Sequence, residues 1–128
     1  MKKEKYSIEF VLGNASQMSL WRMLTDSTSL EQWFADKVKV TDRKYFTFTW
    51  EENVQETKQT INRPMTHVRY SWLAEDRLGT YFEFKIHTLE LSSEIALEVI
   101  GFADQDETDD AKFLWEAQIG MLKRKLGI

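Results

Sequence analysis

Large apolar side chains recur at every second position along a series of short segments, and this alternation restricts the fold more than any other feature. Successive side chains of a β-strand point to opposite faces, so a period of two is typical of a strand with one buried face. Turn signals such as Gly79 and Ser92-Ser93 separate the segments, which predicts an antiparallel sheet. The predicted inner face comprises Tyr6, Ile8, Phe10 and Leu12; Phe46, Phe48 and Trp50; Val68, Tyr70 and Trp72; Phe82, Phe84 and Ile86; and Ile95, Leu97 and Val99.

Three helices are expected to complete this sheet. Gly13-Asn14 breaks the first strand, and two short helices follow it, the second closing on Trp33. Asp109 to Leu126 has helical periodicity, and a sheet with one wide apolar face needs such an element to cover it. The sequence therefore predicts an α+β fold in the order strand, two helices, six strands, long helix. The residues expected on the covering face of the last helix are Ala111, Leu114, Trp115, Met121, Leu122 and Leu126.

Charge decides the register of one predicted hairpin. Two registers match the apolar faces of its strands, and they place Arg69 opposite either Lys85 or Glu83. A facing pair of opposite charges stabilises a sheet by roughly 0.2–1 kcal/mol, and a like pair costs a similar amount. We therefore predict that Arg69 faces Glu83.

Composition excludes several classes of protein. The 128 residues contain no Cys, so disulfides, thiolate metal sites and a cysteine nucleophile are excluded. The net charge is −4 with both signs interspersed, whereas a nucleic-acid binder usually carries a basic stripe, so we predict no nucleic-acid partner. Length and the absence of a linker-like run predict a single domain over residues 1–128.

Targeting and membrane signals are not apparent in the sequence. The N-terminal MKKEKYSIEFVLG is basic, but its apolar residues alternate with polar ones, whereas a signal peptide needs an unbroken apolar run. No segment approaches the roughly 20 apolar residues of a membrane-spanning helix. We therefore predict a soluble, cytoplasmic protein without a membrane span.

Residues that could carry catalysis are sparse. His67 and His87 fall on the polar positions of their strands and should face solvent, away from the long helix. Glu83, Glu94 and Glu98 alternate with apolar residues and belong to the same outer face. General acid–base catalysis needs a positioned group with a tuned pKa, and none can be nominated. We predict no catalytic residue, no metal site and no cofactor.

Two polar features are expected to point inward. Gln118 lies between Leu114 and Leu122 on the last helix, and a buried amide needs a partner. The strand Val54 to Ile61 is polar on both faces. A two-residue turn at Glu51-Glu52 would direct the first of two sets of its side chains inward, and a three-residue turn would direct the second set inward. Alternatively, the strand could project beyond the helix with both faces exposed to water. The two sets are Gln55, Thr57 and Gln59, or Glu56, Lys58 and Thr60.

The segments LWRMLTDSTSLEQWFADKVKV and FLWEAQIGMLKRKLGI, together with the order of elements, resemble the START-like, or helix-grip, superfamily, and within it the branch related to the activator of the heat-shock ATPase chaperone. At the positions where members of this family typically show their sequence motifs, this chain has Trp21, Leu24-Thr25, Trp33-Phe34, Trp115 and Leu122-Lys123. The resemblance implies a curved seven-stranded antiparallel sheet that wraps around a long C-terminal helix, with a cavity between them. It implies no single activity, since the superfamily includes carriers, cyclases and co-chaperones.

On these grounds we predict non-enzymatic binding of a hydrophobic small molecule or lipid in that cavity. The alternatives are a protein-interaction or co-chaperone-like module, a homodimer, and a cyclase-type enzyme. Trp33-Phe34 could anchor the second short helix and help form the cavity mouth, or Trp33 could simply pack in the core. The aromatic rings could themselves fill the cavity. The predicted ligand-binding residues are Trp33, Phe48, Trp50, Gln55, Tyr70, Trp72, Phe82, Phe84, Leu114 and Gln118.

Overall fold

The computed structural model describes residues 3–128, and its elements follow the predicted order. Met1 and Lys2, which belong to the predicted single domain and to the N-terminal segment discussed above, lie outside the described residues. The elements are β1 (Lys3–Val11), α1 (Gln17–Thr25), α2 (Ser27–Leu30), β2 (Lys37–Thr41), β3 (Tyr45–Trp50), β4 (Asn53–Arg63), β5 (His67–Trp72), β6 (Tyr81–Thr88), β7 (Ile95–Asp104) and α3 (Thr108–Leu126), with short 3₁₀ turns at Glu75–Arg77 and Gln105–Glu107.

The seven strands form one antiparallel sheet in the order β1-β7-β6-β5-β4-β3-β2. Consecutive strands from β2 to β7 pair as hairpins, as short turns between alternating segments dictate. β1 instead pairs with β7, from Lys3 opposite Asp104 to Val11 opposite Ala96. The predicted α+β class with a curved seven-stranded sheet, a long C-terminal helix and two short helices after β1 is confirmed.

The alternation of side chains holds along the strands. Phe48 of β3, Tyr70 of β5 and Phe84 of β6 are fully buried on the inner face. Arg69 lies opposite Glu83, which confirms the register predicted from charge.

The turn between β3 and β4 has two residues, Glu51 and Glu52, with Glu51 at a φ of 52°. This register aligns Thr57 with Phe46 and Gln55 with Phe48, so the set Gln55, Thr57 and Gln59 lies on the inner face.

The two short helices cover one end of this inner face. The Ser16 hydroxyl caps α1 by accepting from the Ser19 backbone N–H, and the Asp26 carboxylate caps α2 by accepting from the Ser29 N–H. Leu20, Leu24 and Leu30 are fully buried beneath them. The end of the sheet next to the C-terminus of β1 is therefore covered by α1 and α2, and we call it the closed end.

Helix α3 crosses the inner face, but its buried residues differ from those expected. Trp115, Ile119 and Leu122 are buried, whereas Leu114 is 60% and Met121 is 40% exposed. The predicted face was wrong by part of a turn because a residue next to Trp115 points about 100° away from it around the helix. Ile119, which was not included in the predicted face, lies at the centre of the face that is buried in the structure.

Candidate ligand-binding cleft

A cleft of about 480 Å³ lies between the N-terminal half of α3 and the end of the sheet opposite to α1 and α2. Its volume falls within the range of small-molecule sites, roughly 300–1,000 Å³. The sheet contributes residues of β1, of the end of β3 and the start of β4, of the turn between β5 and β6, of the start of β6, and of β7. The lining residues are Tyr6, Phe34, Trp50, Asn53, Gln55, Trp72, Arg77, Tyr81, Phe82, Gly101, Phe102, Ala111, Leu114, Trp115 and Gln118.

Phe34 separates the cleft from the core. Its ring centroid lies 5.4 Å from that of Trp50, 5.1 Å from that of Phe82 and 5.8 Å from that of Trp115. Its backbone carbonyl accepts hydrogen bonds from Trp50 Nε1 at 2.6 Å and from Gln118 Nε2 at 3.2 Å. The turn after α2 therefore fixes both a strand tryptophan and the helix glutamine, and Gln118 has the partner that a half-buried amide needs.

Tyr6 and Trp115 form the wall of the cleft next to β7. Trp115 Nε1 donates a 2.8 Å hydrogen bond to the Tyr6 hydroxyl oxygen. The Tyr6 ring lies over Gly101, its partner across β1 and β7, and a Cβ at position 101 would stand 2.6 Å from Tyr6 Oη. Burial raises the pKa of Tyr6 above its ordinary value, although the bond from Trp115 opposes this effect. The hydroxyl is therefore a neutral hydrogen-bond donor near pH 7.

Arg77 stands at the mouth of the cleft, stacked on one of its aromatic walls. Its guanidinium carbon lies 4.0 Å from the centroid of the Trp72 ring, which is a cation–π contact. Of the lining residues within the described range, Arg77 alone is charged. Partial burial lowers the pKa of Arg77 from its ordinary value, and the neighbouring Asp76 carboxylate opposes that shift.

Six of the ten predicted ligand-binding residues line the cleft, and four do not. Those that line it are Trp50, Gln55, Trp72, Phe82, Leu114 and Gln118. The remaining four, Trp33, Phe48, Tyr70 and Phe84, are packed in the core.

The reason is visible in their contacts. Trp33 Nε1 donates to the Met23 carbonyl at 2.8 Å, and the Tyr70 hydroxyl donates to the Leu24 carbonyl at 2.7 Å. Both rings are thus tied to α1, at the closed end, and the structure places Trp33 in the core rather than at the cleft mouth.

The cleft residues that sequence reasoning missed come from irregular segments and from one long-range pairing. Phe34, expected with Trp33 at the cavity mouth but not included among the ligand-binding residues, lies in a turn. Arg77 lies in a 3₁₀ turn, where no periodicity assigns a face. Tyr6 was assigned to the inner face but not to a site, because its contact with Trp115 joins residues 109 positions apart. Gly101 inside an apolar strand was the one available signal, since such a glycine often marks a close approach of another group.

The outer face of the sheet carries a charged cluster instead of the solvated surface expected there. Glu83 is only 1% exposed, with Oε2 2.6 Å from Arg69 Nε and 2.8 Å from His67 Nε2. Burial alone would raise the pKa of Glu83, but Arg69 and His67 outweigh it and hold that pKa below its usual value. The expectation that His67 faces solvent was wrong, because this cluster shields its imidazole, whereas His87 is exposed beside Glu98. Within residues 3–128 no group of three His, Asp or Glu side chains could hold a metal ion.

Comparison with known proteins agrees with this architecture. A family model described as a START-like superfamily domain matches residues 1–128. BfR322 from Bacteroides fragilis, known from a solution structure, is 37% identical and superposes with a TM-score of 0.69 over 98% of this chain and 92% of its own. No curated protein sequence matches the chain.

Two further solved structures are similar at lower identity. Aha1 from Colwellia psychrerythraea, solved as a dimer, is 18% identical with a TM-score of 0.76, covering 100% of this chain and 98% of its own. CalU16 from Micromonospora echinospora is 16% identical with a TM-score of 0.71, covering 97% and 75%. These two likenesses concern the fold alone. Among the described residues, no helix is both long and apolar enough to cross a membrane.

Proposed function

We propose that this chain, which belongs to the START-like superfamily, binds a hydrophobic small molecule in the aromatic cleft beneath α3. Members of this superfamily bind hydrophobic ligands or act in biosynthetic or chaperone-related roles, so the fold is compatible with the proposal without requiring it. The cytoplasmic location and the single-domain organisation expected from the sequence stay predictions.

One observation carries the proposal: large rings stand at the edge of a cleft that the protein itself leaves unfilled. Trp50 and Trp72, both half-buried, present apolar surface there beside the buried ring of Phe82, whereas rings of the same kind in the core are fully covered. Burying an apolar ring is worth roughly 25 cal/mol for each Å² removed from water. An apolar ligand would supply the cover that the chain does not.

We propose that Trp50, Trp72, Phe82 and Leu114 contact the apolar part of the ligand, with Phe34 and Trp115 forming the floor. Gln55 and Gln118 contribute the few convergent polar groups that orient ligands in such sites. Phe48, Tyr70, Phe84 and Trp33 support this arrangement from the core. We place them outside the site.

Binding is proposed in preference to catalysis because of what the lining contains. None of the described lining residues is Asp, Glu or His, the side chains that most often transfer protons in catalysis. The Tyr6 hydroxyl, whose pKa is raised, is a donor rather than a base.

The test uses protein purified without detergent, native mass spectrometry to detect co-purified ligand, and titration with the neutral, apolar fluorescent probe N-phenyl-1-naphthylamine. Leu114→Trp fills the cleft rim, and Phe113→Trp adds the same ring to a neighbouring exposed position that does not line the cleft. We expect Leu114→Trp to weaken probe binding at least about tenfold and Phe113→Trp to leave it unchanged. Equal binding by both variants, or no binding by the wild type, would refute the proposal.

A further inference from the structure

Among the described residues that line the cleft there are hydrogen-bond donors and one cation, Arg77, but no carboxylate, and the Asp76 carboxylate next to Arg77 lies outside this lining. Arg77 is held in place by its backbone, since its carbonyl accepts from the Thr80 N–H at 3.0 Å and from the Thr80 hydroxyl at 2.6 Å. Its guanidinium stacks on Trp72, and it forms no ion pair with any residue in the range 3–128. A fixed, unpaired guanidinium on an aromatic wall is suited to bind an acidic group.

Neutral donors accompany Arg77. The Tyr6 hydroxyl oxygen accepts from Trp115, which leaves the hydroxyl hydrogen available to a ligand. Gln55 Nε2 donates to Asn53 Oδ1, so the Asn53 side chain keeps its NH₂ group for another acceptor. The polar groups of the cleft are therefore better matched to a ligand that accepts hydrogen bonds than to one that donates them.

We infer that the ligand of this cleft is an apolar organic acid, bound as its carboxylate, with Arg77 holding the acidic group at the mouth. The inference rests on the proposed binding function and names the class of molecule that this function serves. Apolar carboxylates come as straight-chain aliphatic acids and as aromatic acids, which share the same acidic group and differ in the part that Trp50 and Phe82 would contact.

The experiment compares acids with alcohols of the same carbon skeleton, by titration calorimetry at pH 7.5. The pairs are dodecanoate with dodecanol and 2-naphthaleneacetate with 2-naphthaleneethanol, one pair for each source of the acid. Wild-type protein is expected to bind the acid of at least one pair about tenfold more tightly than its alcohol. Arg77→Gln should abolish this preference, and Arg77→Lys should retain part of it.

The matched control is Arg22→Gln, which removes the same charge from an exposed position on α1 and should leave the preference intact. Equal affinity for acid and alcohol in the wild type would overturn the inference while leaving apolar binding in place. A preference that survives Arg77→Gln would overturn the role of Arg77. Failure of all four compounds to bind would overturn the inference, and the naphthalene probe test decides the proposed function separately.

The outer surface of α3 supports a second, independent inference. Phe113 is 74% exposed and Met121 is 40% exposed, with the exposed Ala117 midway between them, four residues from each. Residues four apart lie on one side of a helix, so these three form an apolar stripe on the face away from the sheet. Asp110 and Arg124, both exposed, flank the stripe at its two ends.

The outer stripe, Asp110–Phe113–Ala117–Met121–Arg124, is complementary to a reversed copy of itself. Two such helices packed antiparallel about a twofold axis at Ala117 would bring Phe113 against Met121 and Asp110 against Arg124, twice each. A twofold interface requires this reciprocity, in which one residue meets a second and the second meets the first. The small side chain of Ala117 and the neighbouring Gly120 permit the close approach of two helix axes.

We propose that a second copy of this chain docks antiparallel on the outer stripe of α3, forming a homodimer. A second copy is favoured over another protein because the acidic residue at one end of the stripe is complementary to the basic residue at its other end. Asp110 and Arg124 are the exposed residues that fix the direction of the pairing, since a parallel arrangement would place like charges together.

Charge reversal tests the pairing by light scattering after gel filtration at high micromolar concentration. The wild type is expected to be a dimer, and Asp110→Arg and Arg124→Asp are each expected to be monomers. An equimolar mixture of the two variants should dimerise again, because every Arg then faces an Asp. A monomeric wild type, or a dimer that withstands both Asp110→Arg and Phe113→Ser, would overturn the proposal; circular dichroism checks that each variant is folded.

Discussion

The two ends of the inner sheet face are built from the same kinds of side chains and yet differ in their exposure to solvent. At the closed end Phe48, Tyr70 and Phe84 are fully buried in the core, where the Tyr70 hydroxyl donates to the Leu24 carbonyl of α1. At the open end the half-buried Trp50 and Trp72 border a cleft beneath the N-terminal half of α3. Aromatic content therefore does not decide where a cavity forms in this fold. The decisive factor is whether a further element covers the rings.

The largest expected effect separates the two ends by stability. Phe48→Ala at the closed end should lower the free energy of unfolding by roughly 3–5 kcal/mol, because it leaves a void in a densely packed core. Trp72→Ala at the open end should cost much less, since its ring is only half-buried and the space it leaves joins the cleft. Urea denaturation measures both. Similar losses for the two variants would show that the cleft is part of the core.

A second prediction concerns the loss of stability at low pH, which we assign to the outer face of the sheet and to neither end of the inner face. The Glu83 carboxylate lies on the outer face, and Glu83→Gln should cost roughly 2 kcal/mol at pH 7 by removing charged hydrogen bonds to Arg69. Because the folded pKa of Glu83 lies below its ordinary value of 4.5, its contribution is complete above that pH and is lost as the pH falls through the folded pKa. The difference in unfolding free energy between wild type and Glu83→Gln should therefore be full at pH 7 and should shrink as the pH falls below 4.5 and through the folded pKa. Divergence at low pH would place the acid-sensitive group elsewhere.

A third prediction compares the substitution of Tyr by Phe at the closed end and at the open end of the inner sheet face. Tyr70→Phe removes the donor to the Leu24 carbonyl in a dry core and should cost about 1–2 kcal/mol. Tyr6→Phe removes the acceptor of Trp115 Nε1 beside the cleft, where water can replace it, and should cost less than about 1 kcal/mol. Thermal denaturation of the pair gives the comparison directly. Equal costs would mean that the open end is as dry as the closed one.

The last prediction concerns Gly101→Ala. The added methyl would lie 2.6 Å from Tyr6 Oη, so the Tyr6 ring must move away, at a cost of about 1 kcal/mol. The displacement should break the bond to Trp115, and the indole N–H resonance of Trp115 should shift while that of Trp33 stays in place. A Trp115 resonance identical to that of the wild type would show that Tyr6 does not depend on the glycine.

Most of the fold could be predicted because its strands have one buried face and its turns are short. Alternation assigned the inner residues, and one pair of charges set the register of β5 and β6. The two-residue turn before β4, one of the alternatives open from the sequence, brings Gln55 to the inner face. Each of these features depends on residues that are close in the sequence or on adjacent strands, so sequence patterns can predict it.

The cleft could be predicted only in part because its position depends on what covers the sheet. Phe48 and Trp50 are two residues apart on one face, and no local pattern shows that α1 and α2 cover the first but not the second. Helix periodicity was too coarse to exclude Leu114 from the buried face of α3. Arg77 lies in a 3₁₀ turn with no periodic pattern, so its stacking on Trp72 was not foreseeable.

The pairing of β1 with β7 can form only late in synthesis. Val11 pairs with Ala96, 96 − 11 = 85 residues later, and Lys3 with Asp104. At about 5–20 residues per second, a ribosome needs about 4–17 s to make that intervening chain. Throughout this interval the first strand of the nascent polypeptide is translated without its partner, and the wall formed by Tyr6 and Trp115 is completed only when the last helix emerges.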